Sequence, residues 1–493
     1  MGWQRGSAVS DVEMTRTDLF IGGGWVTPQS TEVIEVVSPA TEEVIGRAPH
    51  ASTADVDRAV SAARVALIDG PWPAMSPGER ADVMAALSAQ LQARSMEIAD
   101  LITAENGSPA SFSLMGQVFA STMVLDYYAD LARTFAFTDE RTGIMGPVTV
   151  RREPVGVVGA IVPWNVPLFT TMLKLAPAMA AGCTVVLKPA PETPLDAYVL
   201  AEAAEAAGVP AGVLNIVAAG REVGEHLVTH PGVDKIAFTG STAAGRTIAA
   251  LCGQLLRRCT LELGGKSAAV ICDDADVEST IAGLLPASTM NNGQACVAQT
   301  RLLVPNSRRA EFTDAIAAAV GALVVGDPAD PATQIGPLTS ARQRERVEGY
   351  IAAGRDEGAK VAVGGGRPSG MDRGWYVEPT VFADVDNSMR IAQEEIFGPV
   401  LAVIGYDDVE DAIAIANDSE YGLSGSVWSS DVERATAIAN RMQTGTVSVN
   451  GFMIEFCAPF GGFKSSGLGR ELGPEGLAHY LEYKTVMYPA GGM

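Results

Sequence analysis

A chain of 493 residues with 47% hydrophobic and 19% charged side chains has room for two or three packed domains and is too apolar to be disordered. Acidic residues outnumber basic ones 58 to 35, a formal charge of -23, and an excess of that sign repels nucleic-acid phosphates and anionic lipid surfaces. The six cysteines, Cys183, Cys252, Cys259, Cys272, Cys296 and Cys457, form no CxxC pair and no regular spacing, so neither a disulfide framework nor a metal site is expected, and a reducing compartment fits.

In chain order, MGWQRGSAVSDVEMTR offers little to bury and lacks the apolar core of a secretory signal, so it reads as a loose extension. No apolar run of about eighteen residues reads as a membrane span, and a cytoplasmic protein is expected. Apolar residues at helical spacing predict helices over Thr53 to Ile68 and Pro77 to Thr103, the second capped by Ser76 with Pro77 at its first position. From Val155 the pattern changes to short apolar runs, VGVVGAIV, TVVLK, VLNIV and KIAFT, separated by helical stretches such as Leu195 to Ala207. Short, β-rich, unalternating runs suit parallel strands buried on both faces, which predicts a doubly wound α/β domain. A second alternation follows Glu262: SAAVIC, a helix through Asn291, RLLV, a helix near Arg309 to Leu323, then VLAVIGY, GSVWS and GTVSVN, which predicts a second α/β domain. GGGRPSG, Gly364 to Gly370, reads as an exposed turn.

Three segments carry chemistry. A cysteine taken alone reads as a small buried hydrophobe, and Cys183, Cys252, Cys259 and Cys272 are read that way. Cys296 differs because NNGQACVAQTR is a small-residue turn after an apolar helix, where a thiol can face a cleft. Glu262 ends an apolar strand just before Gly264 and Gly265, which let the backbone pass close to a ligand or another segment. Asn165, between Trp164 and Pro167, reads either as a turn residue or as an amide donor. Thiol, carboxylate and amide together suit acyl transfer through a covalent thioester. His50, His226, His230 and His479 fall in no catalytic pattern.

PWNVP from Pro163, FTGSTAAGR from Phe238, LELGGKS from Leu261, the Cys296 segment, EEIFGPV from Glu394 and PFGGFKSSGLGRELG from Pro459 together resemble the NAD(P)-dependent aldehyde dehydrogenase superfamily, in family order. The resemblance implies that Cys296 is the nucleophile, that Glu262 activates water against the thioester, and that the Asn165 amide holds the oxyanion with the Cys296 backbone N–H. It assigns Lys174 and Glu471 to the proton exit path. Glu262 favours hydrolysis over transfer to coenzyme A; a CoA-acylating enzyme and a cofactor-independent thiol esterase are the alternatives. No GxGxxG follows a strand, but the resemblance implies an NAD site in which the helix after Gly240 and Ser241 receives the pyrophosphate. Ile161, Pro163, Trp164, Phe238 and Leu263 are expected along it, Lys188 at the adenosine ribose, Gly220 and Gly224 near the adenine, and Glu395 and Phe397 at the nicotinamide ribose. Pro191 stands where strongly NAD-preferring relatives often carry glutamate, so NADP is expected to be accepted too.

The expected substrate is a small-molecule aldehyde of apolar character (medium-chain aliphatic, terpenoid or aromatic), because Val166, Leu168, Phe169, Met172, Leu173 and Phe452 to Phe460 are mostly apolar. Leu173, and Ala298, Gln299 and Thr300, stand where semialdehyde-oxidising relatives often place arginines. Cys457 and Glu455 lie in the same entrance loop. The expected division is a cofactor domain over 1–132 and 153–262, a catalytic domain over 263–465, and an oligomerisation element over 133–152 and 466–493. In that element the resemblance implies that a hairpin, Arg133 to Arg152, and a C-terminal strand, Tyr483 to Tyr488, pair across a homodimer or homotetramer.

Overall fold

The computed structural model describes residues 14–489, so the expected N-terminal extension falls almost wholly outside the described residues. Strands Val157–Ile161, Thr184–Lys188, Leu214–Ile216, Lys235–Thr239 and Arg258–Glu262 pair in parallel at the centre of an eight-stranded sheet. The first three are buried along their whole length, which is why they read as unbroken apolar runs. From Val157–Ile161 the sheet grows one way through Thr184–Lys188 and Leu214–Ile216, then the chain crosses back and adds Lys235–Thr239 and Arg258–Glu262 on the other side. The reversal lies between Val157–Ile161 and Lys235–Thr239, and open α/β sheets bind ligands outside the carboxyl ends of the strands at such a point.

Helix Thr53–Ile68 takes the bounds its periodicity predicts, with a reciprocal cap between Ser52 and Asp55. Ser76 and Glu79 cap the next helix in the same way, with Pro77 in its first turn. That helix ends at Ala93, and a separate one spans Ser95–Asn106, so the single helix expected over Pro77 to Thr103 is two. Arg94, between them, has non-helical backbone (φ -107°, ψ 17°), and its side chain pairs with Glu97 at 2.6 Å and with Glu202 at 2.8 Å on another helix. Apolar spacing alone carries no trace of that break.

A second sheet of seven strands, all parallel except for the edge strand Lys360–Val363, holds Ser267–Ile271 beside Gln299–Pro305. Arg301, in the strand that follows Cys296, is buried, and its guanidinium donates to the carbonyls of Lys266, Ile415 and Ala416 and to Asn387 Oδ1. This fixes the nucleophile's strand against the segment that leaves Glu262.

Gly467–Leu468, expected in the oligomerisation element, forms an antiparallel edge on Arg258–Glu262, with Glu262 opposite Gly467. The hairpin, Thr138–Gly143 and Gly146–Pro154, pairs with Leu481–Met487 within the chain to make a three-stranded sheet. Among the described residues, no helix is long and apolar enough to cross a membrane.

Candidate active site

A cavity of about 680 Å³ opens where the reversal of strand order predicts a crevice. Its wall contains Asn165, Glu262, Cys296 and Glu471 together with Pro163, Trp164, Gly240, Ser241, Leu263, Glu395 and Phe397. The positions come from strand ends. Pro163, Trp164 and Asn165 follow Val157–Ile161, Gly240 and Ser241 follow Lys235–Thr239, and Glu262 closes Arg258–Glu262. Pro167 then starts the helix that carries Lys174. Gly265 is needed where it stands, since a Cβ there would lie 2.2 Å from the carbonyl oxygen of Cys296.

Glu262 is buried and neither carboxylate oxygen has a hydrogen-bond partner. Burial first, and the charge of Glu471 second, hold its pKa well above the usual carboxylate range. Glu471 Oε1 accepts from Lys174 Nζ at 2.8 Å, and the same ammonium donates to Thr239 Oγ1 at 2.5 Å. Lys174 therefore stands behind the wall, reaching the cavity through Glu471. Dry surroundings, then the carboxylates of Glu395 and Glu262, push the Cys296 thiol up to about 12, so in the cofactor-free protein it carries its proton. Asn165 Nδ2 donates to Gln294 O at 2.8 Å. The nucleophile follows Asn291 and Asn292, both with left-handed backbone (φ 51° and 61°), and Phe397 across the cavity shares that region at φ 64°. Non-glycine residues pay of order 1–3 kcal/mol each for such backbone, which the surrounding contacts must hold in place.

The family model described as Aldehyde dehydrogenase family matches residues 25–486. The chain belongs to the aldehyde dehydrogenase family. It is 51% identical over 469 residues to the geranial dehydrogenase of Castellaniella defragrans, covering 95% of this chain and 98% of that protein. Among solved structures, a Mycobacterium tuberculosis aldehyde dehydrogenase complexed with NAD+ superposes with a TM-score of 0.96 at 52% identity, covering 98% of this chain and all of that one. A mutant of Pseudomonas syringae aldehyde dehydrogenase C in complex with NAD+ and octanal gives 0.93 at 43% identity, covering 96% of each chain.

Not every expected cofactor residue of this aldehyde dehydrogenase reaches the cavity. Ile161 and Phe238 are buried in the core beneath it. Lys188, Gly220 and Gly224 cluster apart: Lys188 Nζ donates to Pro189 O at 2.9 Å and Ala219 O at 2.7 Å, and a Cβ on Gly224 would touch its side chain at 3.3 Å. Burial lowers that ammonium to about 8. His50, assigned nothing from sequence, accepts from the Gly220 N–H at 3.0 Å. Of the expected substrate residues, Val166, Phe169, Leu173, Phe452, Phe456 and Phe460 line the cavity. Leu168 and Met172 turn into the core, one helical turn apart on the opposite face. Cys457 and Glu455 are exposed and off the wall.

Two groups of lining residues carried no motif. Phe112, Gly116 and Ala120 come from the π-helical turn Ser113–Phe119 and its flanks, a distortion invisible to a 3.6-residue period. Gln343 and Arg346 hold the EEIFGPV loop by its main chain, with Gln343 Nε2 2.6 Å from Phe397 O and Arg346 Nε 3.3 Å from Ile396 O. Away from the cavity, Asp57, His226 and His230 bring one potential ligand atom each within 4.8 Å of the others. Gly232 N–H donates to His230 Nδ1 at 2.9 Å, which leaves the proton of the neutral ring on Nε2, facing Asp57 Oδ1 at 3.3 Å. A metal would need that nitrogen's lone pair, so the geometry is that of a hydrogen-bonded cluster.

Proposed function

We propose that this chain oxidises an apolar aldehyde to its carboxylic acid by hydrolysis of a Cys296 thioester, with NAD as hydride acceptor. The observation that carries the reading is one cavity holding a thiol, an unpartnered buried carboxylate and an amide donor, with the rest of its wall largely aromatic and aliphatic. In the reaction, Cys296 gives its proton to the Glu262 carboxylate, which passes it on before the hydrolytic step, and the sulfur bonds to the aldehyde carbon. The carbonyl oxygen, now negative, takes hydrogen bonds from the free Asn165 Nδ2 hydrogen and the Cys296 backbone N–H. A nicotinamide dinucleotide bound in the same cavity would supply the acceptor for the hydride whose loss turns this adduct into a thioester. Glu262 then removes a proton from water, the water oxygen attacks the thioester carbon, and the C–S bond breaks to release the acid. A carboxylate whose pKa is raised is a stronger base than an exposed one, which suits Glu262 to that task. Glu471, whose charge is felt at Glu262 and which Lys174 holds at 2.8 Å, would take the proton onward from Glu262.

The fit for a dinucleotide rests on the helix Thr242–Gln254, capped by Ser241, whose first turn meets the cavity wall at Gly240 and Ser241 and offers amides to a pyrophosphate. Pro163, Trp164, Leu263, Glu395 and Phe397 would complete that site, with Lys188, Gly220 and Gly224 beyond it. NADP is admitted as well: Pro191 brings no carboxylate, and Glu192, beside it, is engaged by Arg342 at 3.3 Å. An efficiency with NAD more than about a thousandfold above that with NADP would remove this second part.

The substrate class is supported by Phe112, Phe169, Leu173, Phe452, Phe456 and Phe460 in the wall, and by relatives described with geranial and octanal. The cofactor and catalytic domains follow the two large sheets, and a homodimer or homotetramer is supported by exposed apolar residues on the hairpin, Ile144 and Met145 at its tip and Tyr483 on the paired strand. A cytoplasmic location is supported by the cysteine pattern, which suits a reducing compartment. The test is reduced-nicotinamide formation with hexanal, citral, benzaldehyde and succinic semialdehyde, with NAD and NADP, with and without coenzyme A. Turnover of the apolar aldehydes without coenzyme A is expected; a requirement for coenzyme A, or better efficiency on succinic semialdehyde, overturns the reading.

A further inference from the structure

Two buried amides outside the proposed reaction converge on one carbonyl, that of Asn165. Asn165 O accepts from Asn106 Nδ2 at 3.1 Å and from Asn291 Nδ2 at 2.8 Å. Both donors are nearly inaccessible, 2% and 3% exposed. Their orientation is set from the far side: Asn106 Oδ1 accepts from Ser108 N–H at 2.8 Å, and Asn291 Oδ1 accepts from the Ser108 hydroxyl, which in turn accepts from Gln117 Nε2 at 3.2 Å. With each amide oxygen so engaged, each nitrogen must face Asn165. Asn291 is also held in left-handed backbone in the segment that carries Cys296, so it ties the nucleophile's loop to the loop after Val157–Ile161.

We propose that Asn291 and Asn106 are positioning residues for the oxyanion donor. With both lone pairs of its carbonyl occupied, the Asn165 main chain is pinned. One side-chain amide hydrogen goes to Gln294 O, and the second is thereby aimed at the substrate oxygen in register with Cys296. The inference rests on the oxyanion role proposed above for Asn165, and the experiment separates the two. Asn291→Gly removes the amide while tolerating the left-handed backbone, and Asn106→Ala leaves that backbone untouched, so the second remains decisive if the first fails to fold.

Each variant is expected to lower kcat by roughly tenfold to a hundredfold, with KM, NAD binding by fluorescence titration and the rate of Cys296 alkylation by iodoacetamide within about twofold of the parent. In an Asn165→Ala background neither change should reduce kcat further, because the donor they aim is gone. The proposal is overturned by unchanged kcat in the single variants, by losses that multiply in the Asn165→Ala background, or by alkylation and KM shifting along with kcat. Full activity of Asn165→Ala alone would instead remove the oxyanion role itself, and the clamp with it.

Discussion

The cavity has two linings built on opposite principles. Around Cys296 the wall is costly: Glu262 is buried with no hydrogen-bond partner, Glu471 is buried as well, and Asn291, Asn292 and Phe397 hold unfavourable backbone. The other lining, with Phe112, Phe169, Leu173, Phe452, Phe456 and Phe460, contains no ionisable side chain and contributes stability wherever its rings are covered, about 1.5–3 kcal/mol for a fully buried one. The fold therefore concentrates its unfavourable terms on the reacting atoms and leaves substrate choice to inexpensive apolar surface. The first lining should tolerate almost no change, and the second should trade one aldehyde for another.

The sharpest way to break that contrast is Cys296→Ala, which should abolish aldehyde oxidation while NAD still binds, as read by fluorescence titration; retained turnover would remove the nucleophile from the account. Glu262→Gln should slow turnover by a factor of at least about a hundred and let acyl-enzyme accumulate, visible by mass spectrometry of the intact chain as a Cys296 adduct. Asn165→Ala should raise the barrier by about 3 kcal/mol, read as kcat falling more than a hundredfold at nearly constant KM.

Acidity sharpens the same comparison. With the thiol pushed up to about 12, the reactive thiolate in the cofactor-free enzyme is scarce at neutral pH and grows as pH rises towards that value. Iodoacetamide should therefore alkylate Cys296 about tenfold faster per pH unit from pH 7 upward, and a plateau near pH 8.5 would show an ordinary thiol. The smallest effect belongs to the apolar lining: Phe456→Ala should lower kcat/KM for hexanal or citral by about tenfold and leave propanal little changed, and equal losses for all three would mean that this wall does not select chain length.

Much of this was legible in the sequence because local rules act there without competition. Runs such as TVVLK and KIAFT became strands with the expected bounds, since residues buried on both faces leave no doubt about period. Cys296, Glu262 and Asn165, though distant in the chain, could be picked out because each lies in a motif that carries the family resemblance, and the fold brings all three to one cavity wall. What escaped depends on contacts between distant segments. The break at Arg94 accompanies an ion pair with the distant Glu202, the π-helical turn bearing Gly116 has no periodic signature, and Gln343 and Arg346 act through another loop's main chain. Leu168 and Met172 are expected in the wall on composition, which tells which residues are apolar and not which face of Pro167–Ala181 meets the core.

The antiparallel edge laid by Gly467–Leu468 on Arg258–Glu262 has a consequence for synthesis. The strand ending in the carboxylate is translated about two hundred residues before the neighbour laid on it. Until that late segment emerges, the nascent chain exposes an unpaired strand edge next to its most costly buried acid, and domains that fold as units during translation must wait for their last strand. The strand that ends in Glu262 thus gains its second neighbour only after residues 467–468 have been made.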